Sequence, residues 1–441
     1  MADQSTHSAN QKRQRKGSVI TVLDVGSTKT VCIIARMVPD SGATYLHGRT
    51  HAAEVIGIGH TRSGGIKSGV VIDLERAERS IRVAVESAER MAGLTVDSMI
   101  VNMTAGRLRS RIIGASIPLD ESRPISKSDL DKVLKSAVSR GSRTDRQVLH
   151  LLPVDHVLDG QAGIADPRGM VGSELQLNMH ALTADTAPMR NLELAINRAH
   201  LSVETMVATP YAAGLSALVD DELELGCACV DMGGGTTSIS VFSERQFIHA
   251  DAIPVGGHHV TMDIARGFSC SIDDAERLKV MHGSVLAANC DDRDTIQVAA
   301  IGSDGSDQAL SVPRGVLNRI ISARVEETLE MLRERINASG HSSVVGKRVV
   351  LTGGAAQMSG LAEMARRILG RNVRIGRPLG VRGMPMAAKG PGFSAAVGLM
   401  IYPQVADRDQ STAKFMGARH RRATGTDGPL GRMSQWLRES F

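Results

Sequence analysis

The hydrophobic pattern of this chain switches between strand-like runs and a helical spacing, and the switches outline its elements. Ser18–Leu23 is a strand run, followed by a turn and a second run, Val31–Arg36. From Asp73 to Leu94 the spacing changes. Leu74, Ala77, Ile81, Ala84, Val85, Ala88 and Met91 recur at three and four, which predicts a long amphipathic helix. Gly93 is a stop signal for it. Residues 97–184 form a distinct block of strand-like, turn-rich pieces, with Asp159-Gly160, Asp166-Pro167 and Gly169 as turn chemistry. Met189–Leu201 is helical again. Cys227–Val230 is an apolar strand that runs into Asp231-Met232-Gly233-Gly234-Gly235. Residues 271–283 and 314–336 are helical in pattern, the second with Val316, Ile320, Ile321, Val325, Leu329 and Leu332 on one stripe. Val349–Leu351 is a short strand ending in Thr352-Gly353-Gly354. Residues 1–17 read as a disordered arm, 403–427 as a polar linker, and 428–441 as a short amphipathic piece.

A length of 441 residues allows two or three domains, each with its own core. Aromatic residues make up only 2%, so the core is built mainly from Ala, Val, Ile, Leu and Met. That scarcity argues against a base-stacking surface for single-stranded nucleic acid. The net charge of +5 is carried by the tails. Residues 1–17 hold four basic residues (Lys12, Arg13, Arg15, Lys16) against Asp3, and residues 403–441 hold seven basic against four acidic. The body is near neutral, so no nucleic-acid partner is expected, and basic tails point to contact with an anionic surface. Five cysteines do not make a disulfide framework, and Cys227 and Cys229 read as small core residues. The usage fits a reducing cytosol. No apolar run reaches the ~18 residues of a membrane span, and the polar N-terminus has no signal-peptide core.

One internal echo carries chemistry. Strand, Asp, any residue, Gly, small polar residues and a second strand occur twice: Val22-Leu23-Asp24-Val25-Gly26-Ser27-Thr28, and Cys229-Val230-Asp231-Met232-Gly233-Gly234-Gly235-Thr236-Thr237. Two similar halves facing each other would place these turns across a cleft. A tight turn between strands aims successive backbone N–H groups into one concavity, which attracts anions. Glycine serves where a phosphate approaches the backbone. Ser27, Thr28, Thr236 and Thr237 add hydroxyl donors, and Lys29 adds a point charge. Asp24 and Asp231 would hold Mg²⁺ through its water shell, and Asp231 is also the candidate to orient an attacking water. Asp-x-Gly turns occur in ordinary hairpins, so the specificity lies in the set: both turns plus Thr352-Gly353-Gly354, each after an apolar strand. No Gly-x-x-x-x-Gly-Lys-Ser/Thr run is present.

These three turns resemble the two phosphate motifs and the adenosine motif of the actin, sugar-kinase and DnaK-type ATPase superfamily. Within it the chain resembles the bacterial cell-division family FtsA over roughly residues 18–402 and at the C-terminal end. Gly64-Gly65-Ile66-Lys67-Ser68-Gly69 with Ile72-Asp73 is one such stretch. Leu158-Asp159-Gly160-Gln161 with Ile164, Asp166-Pro167 and Gly169-Met170 is another, and Val255-Gly256-Gly257 before Val260–Ala265 a third. The resemblance implies an α/β, two-lobed actin/DnaK-type fold with duplicated ribonuclease-H-like halves and an FtsA-type IC subdomain at 97–184. The remaining parts would be IA at 18–96 and 185–207, IIA at 208–260 and 344–390, IIB at 261–343, and a return helix to IA at 391–402.

The resemblance also implies roles. Asp24, Gly26, Ser27, Thr28 and Lys29 match the first phosphate motif, Asp231, Gly233, Gly234, Gly235 and Thr236 the second, and Gly353, Gly354, Ala355 and Ala356 the adenosine motif. Glu276 and Lys279, i and i+3 on one helix face, match a pair that flanks ribose and adenine. ATP and Mg²⁺ are the implied ligands. Ala208–Leu218 and Gly392–Met400 resemble the two interdomain hinges. Tyr211-Ala212-Ala213 offers no Gln or Glu to activate water, so hydrolysis is expected to be slow at most. The family implies a protein that polymerises and joins FtsZ to the inner face of the cytoplasmic membrane at the septum, with downstream division proteins as further partners. Arg314 and Asn318, i and i+4, match the helix that receives the FtsZ C-terminal tail, Arg314 pairing with its acidic groups.

At about 100° per residue, Leu430, Met433, Leu437 and Phe441 cluster on one side of the C-terminal piece, bordered by Trp436 and flanked by Arg432 and Arg438. That describes a helix lying in an anionic membrane interface. Burial of each large side chain contributes about 1.5–3 kcal/mol, against about 1–2 kcal/mol per ordered backbone residue. One helix is therefore marginal, and stable attachment needs many on one filament. Competing readings are a pilus-assembly relative with similar motifs, a small-molecule kinase of the same fold, and a chaperone ATPase. A kinase needs a base at the acceptor hydroxyl, and no residue of the sequence stands out for that role. Too little chain follows residue 402 for a chaperone's substrate domain.

Overall fold

The computed structural model describes residues 18–39, 49–104, 107–141, 146–286, 294–299 and 309–409. The first lobe begins with an antiparallel meander of β1 (Val19–Val25), β2 (Lys29–Pro39) and β3 (His51–Arg62). A ribbon of β4 (Ile66–Lys67) and β5 (Val70–Val71) leads into helix α1 (Leu74–Ala92). Asp73 caps α1 by accepting from Arg76 N–H, and Gly93 ends it in the left-handed conformation (φ 67°). Of the predicted stripe, Ala77, Ile81, Ala84, Val85 and Ala88 form its buried face, Leu74 is half-buried, and Met91 is exposed in the last turn. It lies so close on β3 that a β-carbon on Gly59 would overlap the Ala84 carbonyl oxygen.

β6 (Ser98–Met103) lies parallel to β1 inside the sheet. This corrects the expectation that the inserted block starts at 97. Met99–Met103 is buried throughout, as befits a central parallel strand covered on both faces. The insert itself comprises β7 (Arg109–Pro118), α2 (Lys127–Gly141), β8 (Gln147–Leu158), β9 (Gln161–Ile164) and β10 (Glu174–Ala184). Its sheet runs β7-β10-β8-β9, and Val133, Ala137 and Val138 of α2 join its separate core. The chain then returns through α3 (Thr186–Arg198), β11 (Ser202–Ala208), α4 (Thr209–Ala217) and α5 (Asp220–Leu225).

The second lobe repeats the first. β12 (Cys227–Met232), β13 (Thr237–Ser243) and β14 (Gln246–Ile253) form the meander. α6 (Gly257–Phe268), α7 (Ile272–His282), β15 (Thr295–Ala299), β16 (Ala309–Pro313), α8 (Arg314–Ala338) and α9 (Ser342–Val345) precede β17 (Arg348–Thr352). α10 (Leu361–Leu369), β18 (Asn372–Ile375), β19 (Val381–Arg382) and α11 (Ser394–Ile401) follow. The sheets run β11-β6-β1-β2-β3-β19 and β14-β13-β12-β17-β18. Each holds a three-stranded meander whose first strand is flanked by two parallel strands in turn, and a helix follows the last, α4 directly and α11 after β19. The duplicated halves are therefore present in full. β19 departs from the expected division: it pairs with β3, so residues within 344–390 also complete the first lobe's sheet.

Four of the nine Phe and Tyr residues gather where the lobes and the insert meet. Tyr211 of α4 stacks on Phe247 of β14 with ring centroids 4.6 Å apart, and Phe242 and Tyr402 close the group. The chain does not become linker at 403. Short 3-10 turns at Tyr402–Gln404 and Ala406–Arg408 keep it docked, and Asp409 is buried. Asp409 accepts from Leu151 N–H at 3.0 Å and Tyr402 O–H at 3.1 Å, and bonds His150 Nδ1 at 2.5 Å. The arm at 1–17 and the terminal positions Leu430, Met433, Trp436, Leu437 and Phe441 lie outside the described residues.

Candidate functional site

Two strand-to-strand turns meet between the lobes, and they are built alike. Gly26 N–H donates to Lys29 O at 3.0 Å between β1 and β2, and Gly233 N–H to Thr236 O at 2.9 Å between β12 and β13. They also touch. A β-carbon on Gly234 would overlap Thr28 Cγ2, and one on Gly235 would come within 2.5 Å of Ser27 Oγ. Behind the second turn, Gly233 O accepts from Gly257 N–H (2.9 Å) and Gly234 O from His258 N–H (2.7 Å), at the start of α6. With these carbonyls engaged, the N–H edge of the turn is the side offered to an anion.

A cavity of about 270 Å³ lies between the turns. Its wall includes Asp24, Gly26, Ser27, Thr28 and Lys29 from one half, and Asp231, Gly233, Gly234, Gly235 and Thr236 from the other. Gly353 and Gly354 close one side. Gly353 has φ 88°, and a β-carbon there would overlap Asp231 Oδ1, so this turn depends on glycine. Lys29 Nζ donates to Gly392 O at 2.5 Å and sits 3.6 Å from the centroid of the Phe393 ring.

The electrostatics favour a cation. Burial raises the pKa of Asp24 to about 6, opposed by Lys29 and the Asn102 amide. Burial also raises Asp231 to about 7, and the Asp24 charge pushes it the same way against Lys29. Burial lowers the Lys29 pKa against the pull of both carboxylates. Two carboxylates that resist ionising, beside backbone turns fitted to phosphate, suit a hydrated dication carried in with an anionic ligand. Mg²⁺ bound there would neutralise phosphate charge. No group of three or more His, Cys, Asp and Glu that could hold a metal occurs among the described residues.

Glu276, Lys279, Ala355 and Ala356 stand beside this wall and not in it. Lys279 Nζ donates to Glu276 Oε2 (2.7 Å), Thr261 Oγ1 (2.8 Å) and Gly257 O (3.1 Å), so the pair braces the start of α6. Residues that sequence reasoning did not single out also line the wall, among them Asn102, Thr104, Thr209, Gly69, Gln357 and Phe393. Asn102 is the lone side-chain amide within the apolar run Met99–Met103. Its Nδ2 donates to Asp24 Oδ1 at 2.6 Å, and its Oδ1 accepts from Val25 N–H at 2.7 Å. Gly69, in the Gly64–Gly69 stretch, donates its N–H to Ser27 Oγ at 3.0 Å.

The partner pair separates. Arg314 lies at the surface end of α8, where Nε donates to His282 O (2.7 Å) and Nη1 to Asp294 Oδ2 (3.1 Å). Asn318 is fully buried, and its Oδ1 accepts from Ser284 N–H at 2.9 Å. Asn318 therefore anchors the loop after α7 and does not face a partner, contrary to the expectation. No helix among the described residues is long and apolar enough to cross a membrane.

Residues 228–398 match the family model described as cell division protein FtsA, and residues 105–183 match the SHS2 domain inserted in FTSA. Cell division protein FtsA of Rhizobium meliloti (strain 1021) is 58% identical over 427 residues, covering 97% of this chain and 96% of that protein. Cell division protein FtsA of Pseudomonas aeruginosa is 31% identical, covering 97% of this chain and 99% of that protein. In fold, the chain is similar to a solved structure of the PilM-PilN type IV pilus biogenesis complex. That likeness has a TM-score of 0.57 at 15% identity, covering 86% of this chain and 97% of that one.

Proposed function

The chain belongs to the FtsA family of cell-division proteins, and from that premise we propose that it is an ATP- and Mg²⁺-binding, polymerising adaptor that tethers FtsZ filaments to the inner face of the cytoplasmic membrane at the septum. One observation carries the nucleotide part: two like-built turns, each following an aspartate-ended strand, face each other across a cavity that also holds Lys29. Lys29, the two turns and Gly353–Gly354 would hold the phosphates and the nucleoside end, and Asp24 and Asp231 the hydrated Mg²⁺.

The remaining parts rest on the family and on particular residues. Arg314 would take an acidic FtsZ tail in exchange for its present bond to Asp294. The positions Leu430, Met433, Trp436, Leu437 and Phe441 supply the lipid-facing strip of a terminal helix, with anionic inner-membrane lipids as its surface. Self-association supplies the avidity that one marginal helix lacks, and downstream division proteins are further partners.

The test is cosedimentation with anionic vesicles, with and without Mg-ATP, FtsZ tail peptide and residues 428–441. Pelleting of the full chain with vesicles, its loss on removing 428–441, and recruitment of the peptide by wild type but not Arg314→Glu are expected. Equal vesicle binding by a monomeric variant and by filaments would refute the avidity argument. Nucleotide binding that survives Lys29→Ala unchanged would refute the site.

A further inference from the structure

The two halves carry the same polar pair beside their aspartates, and only one copy opens to the cavity. In the parallel register of β1 with β6, Val22 faces Ile100 and Leu23 faces Val101, which puts Asn102 level with Asp24. In β12 with β17, Asp231 faces Thr352. Asn102 and Thr352 are therefore equivalent positions. Each reaches the first residue of the helix that leaves its half. Asn102 Nδ2 donates to Thr209 Oγ1 of α4 at 3.2 Å, and Thr352 Oγ1 lies 2.6 Å from Ser394 Oγ of α11.

From there the copies diverge. In the second lobe the pair is closed into the core: Thr352 and Ser394 are fully buried, and Thr352 O–H is also within reach of Gly376 O (3.1 Å) and Pro391 O (3.2 Å). In the first lobe Asn102 and Thr209 form part of the cavity wall, and Thr104 joins them with its Oγ1 2.6 Å from Thr209 Oγ1. Two residues beyond Thr352, the position equivalent to Thr104 is Gly354. A β-carbon on Gly354 would meet nothing within 4 Å. The second lobe thus leaves room where the first presents hydroxyls.

Counting protons shows what the hydroxyls offer. Val25 N–H fixes the Asn102 amide so that its NH₂ faces Asp24 and Thr209. Thr104 and Thr209 share two hydroxyl protons, and their mutual bond uses one. The other is left to donate. A hydroxyl pair that donates and takes up no proton near neutral pH suits an oxyanion and is a poor base for water.

We propose that Thr209 and Thr104 bind the terminal phosphate of the nucleotide and so set a preference for a triphosphate over a diphosphate, an inference that rests on the nucleotide reading above. The open Gly354 side takes the bulk of the nucleoside. The phosphates then run past the two turns and end at the threonines. Asn102 is the positioning residue, since it holds both Asp24 and Thr209 in place.

The test measures ATP and ADP affinity, each with Mg²⁺, for wild type, Thr209→Val, Thr104→Val and Thr209→Ser. A hydrogen bond to a charged acceptor is worth about tenfold or more in affinity. Thr209→Val is expected to weaken ATP about tenfold while leaving ADP within about twofold. Thr104→Val should act in the same direction, and Thr209→Ser, which keeps the hydroxyl, should keep the wild-type ratio. Equal weakening of ATP and ADP, or no change in either, would overturn the proposal. A wild-type chain that bound neither nucleotide would overturn the nucleotide reading, and this one with it.

Discussion

Asp24 and Asp231 hold protons in the ligand-free fold that the unfolded chain releases. Unfolded, each titrates near the usual 3.8; folded, near 6 and 7. Between about pH 4 and pH 7 the folded state binds more protons, so its stability falls as pH rises through that window and levels off above it. Thermal unfolding of wild type and Asp231→Asn should show this as a difference. The variant should melt higher at pH 7.5, and its advantage should shrink toward pH 5. A constant offset would contradict the assignment. Mg-nucleotide binding near pH 6.5 should release protons, seen as a calorimetric enthalpy that depends on the buffer. The place of these aspartates on the cavity wall was legible in the sequence, because the Asp-x-Gly turn repeats after two apolar strands. Asn102 was not, because one amide in an apolar strand has no spacing to mark it. Asn318 could have been read better. It precedes Ile321 and Val325 by three and seven residues, so it lies on the buried stripe of α8.

The helices that leave the two half-sheets, α4 and α11, cross so closely that a β-carbon on Gly398 would overlap the Ala212 carbonyl oxygen. Gly398→Ala should therefore force them apart and cost about 2–3 kcal/mol, measured by denaturant unfolding. A second element-level anchor ties the end of the described chain to the insert. Asp409→Ala leaves His150, Leu151 N–H and Tyr402 without their shared acceptor and should cost about 2–4 kcal/mol. Faster proteolysis next to residue 409 should accompany it. The long periodic helix α1, with its stop at Gly93, was legible to within a residue or two. The place of β6 was harder to see, because its neighbour β1 lies far away in sequence and the boundary at 97 follows the end of a helix. The docking of 402–409 was hidden for the same reason. A polar stretch reads as linker until a buried partner such as His150 is known.

At the level of the whole molecule, duplication puts the two like-built turns where the lobes meet, so a ligand bound between them would be coupled to lobe spacing. Helices α4 and α11, the aromatic group around Tyr211 and the buried Asp409 all lie on the side where the halves are joined. The turns stand face to face with no filler between Gly235 and Ser27 or between Gly234 and Thr28. Such a contact works as the end-stop of a vice: the jaws halt where two bare glycines let them. Thickening the stop by one methyl group, Gly235→Ala, should leave the jaws ajar, and Gly235→Val more so. Small-angle scattering should record a graded rise in radius of gyration, in step with weaker nucleotide binding. If filament contacts require shut jaws, a single carbon atom at residue 235 is enough to decide whether one subunit can accept the next.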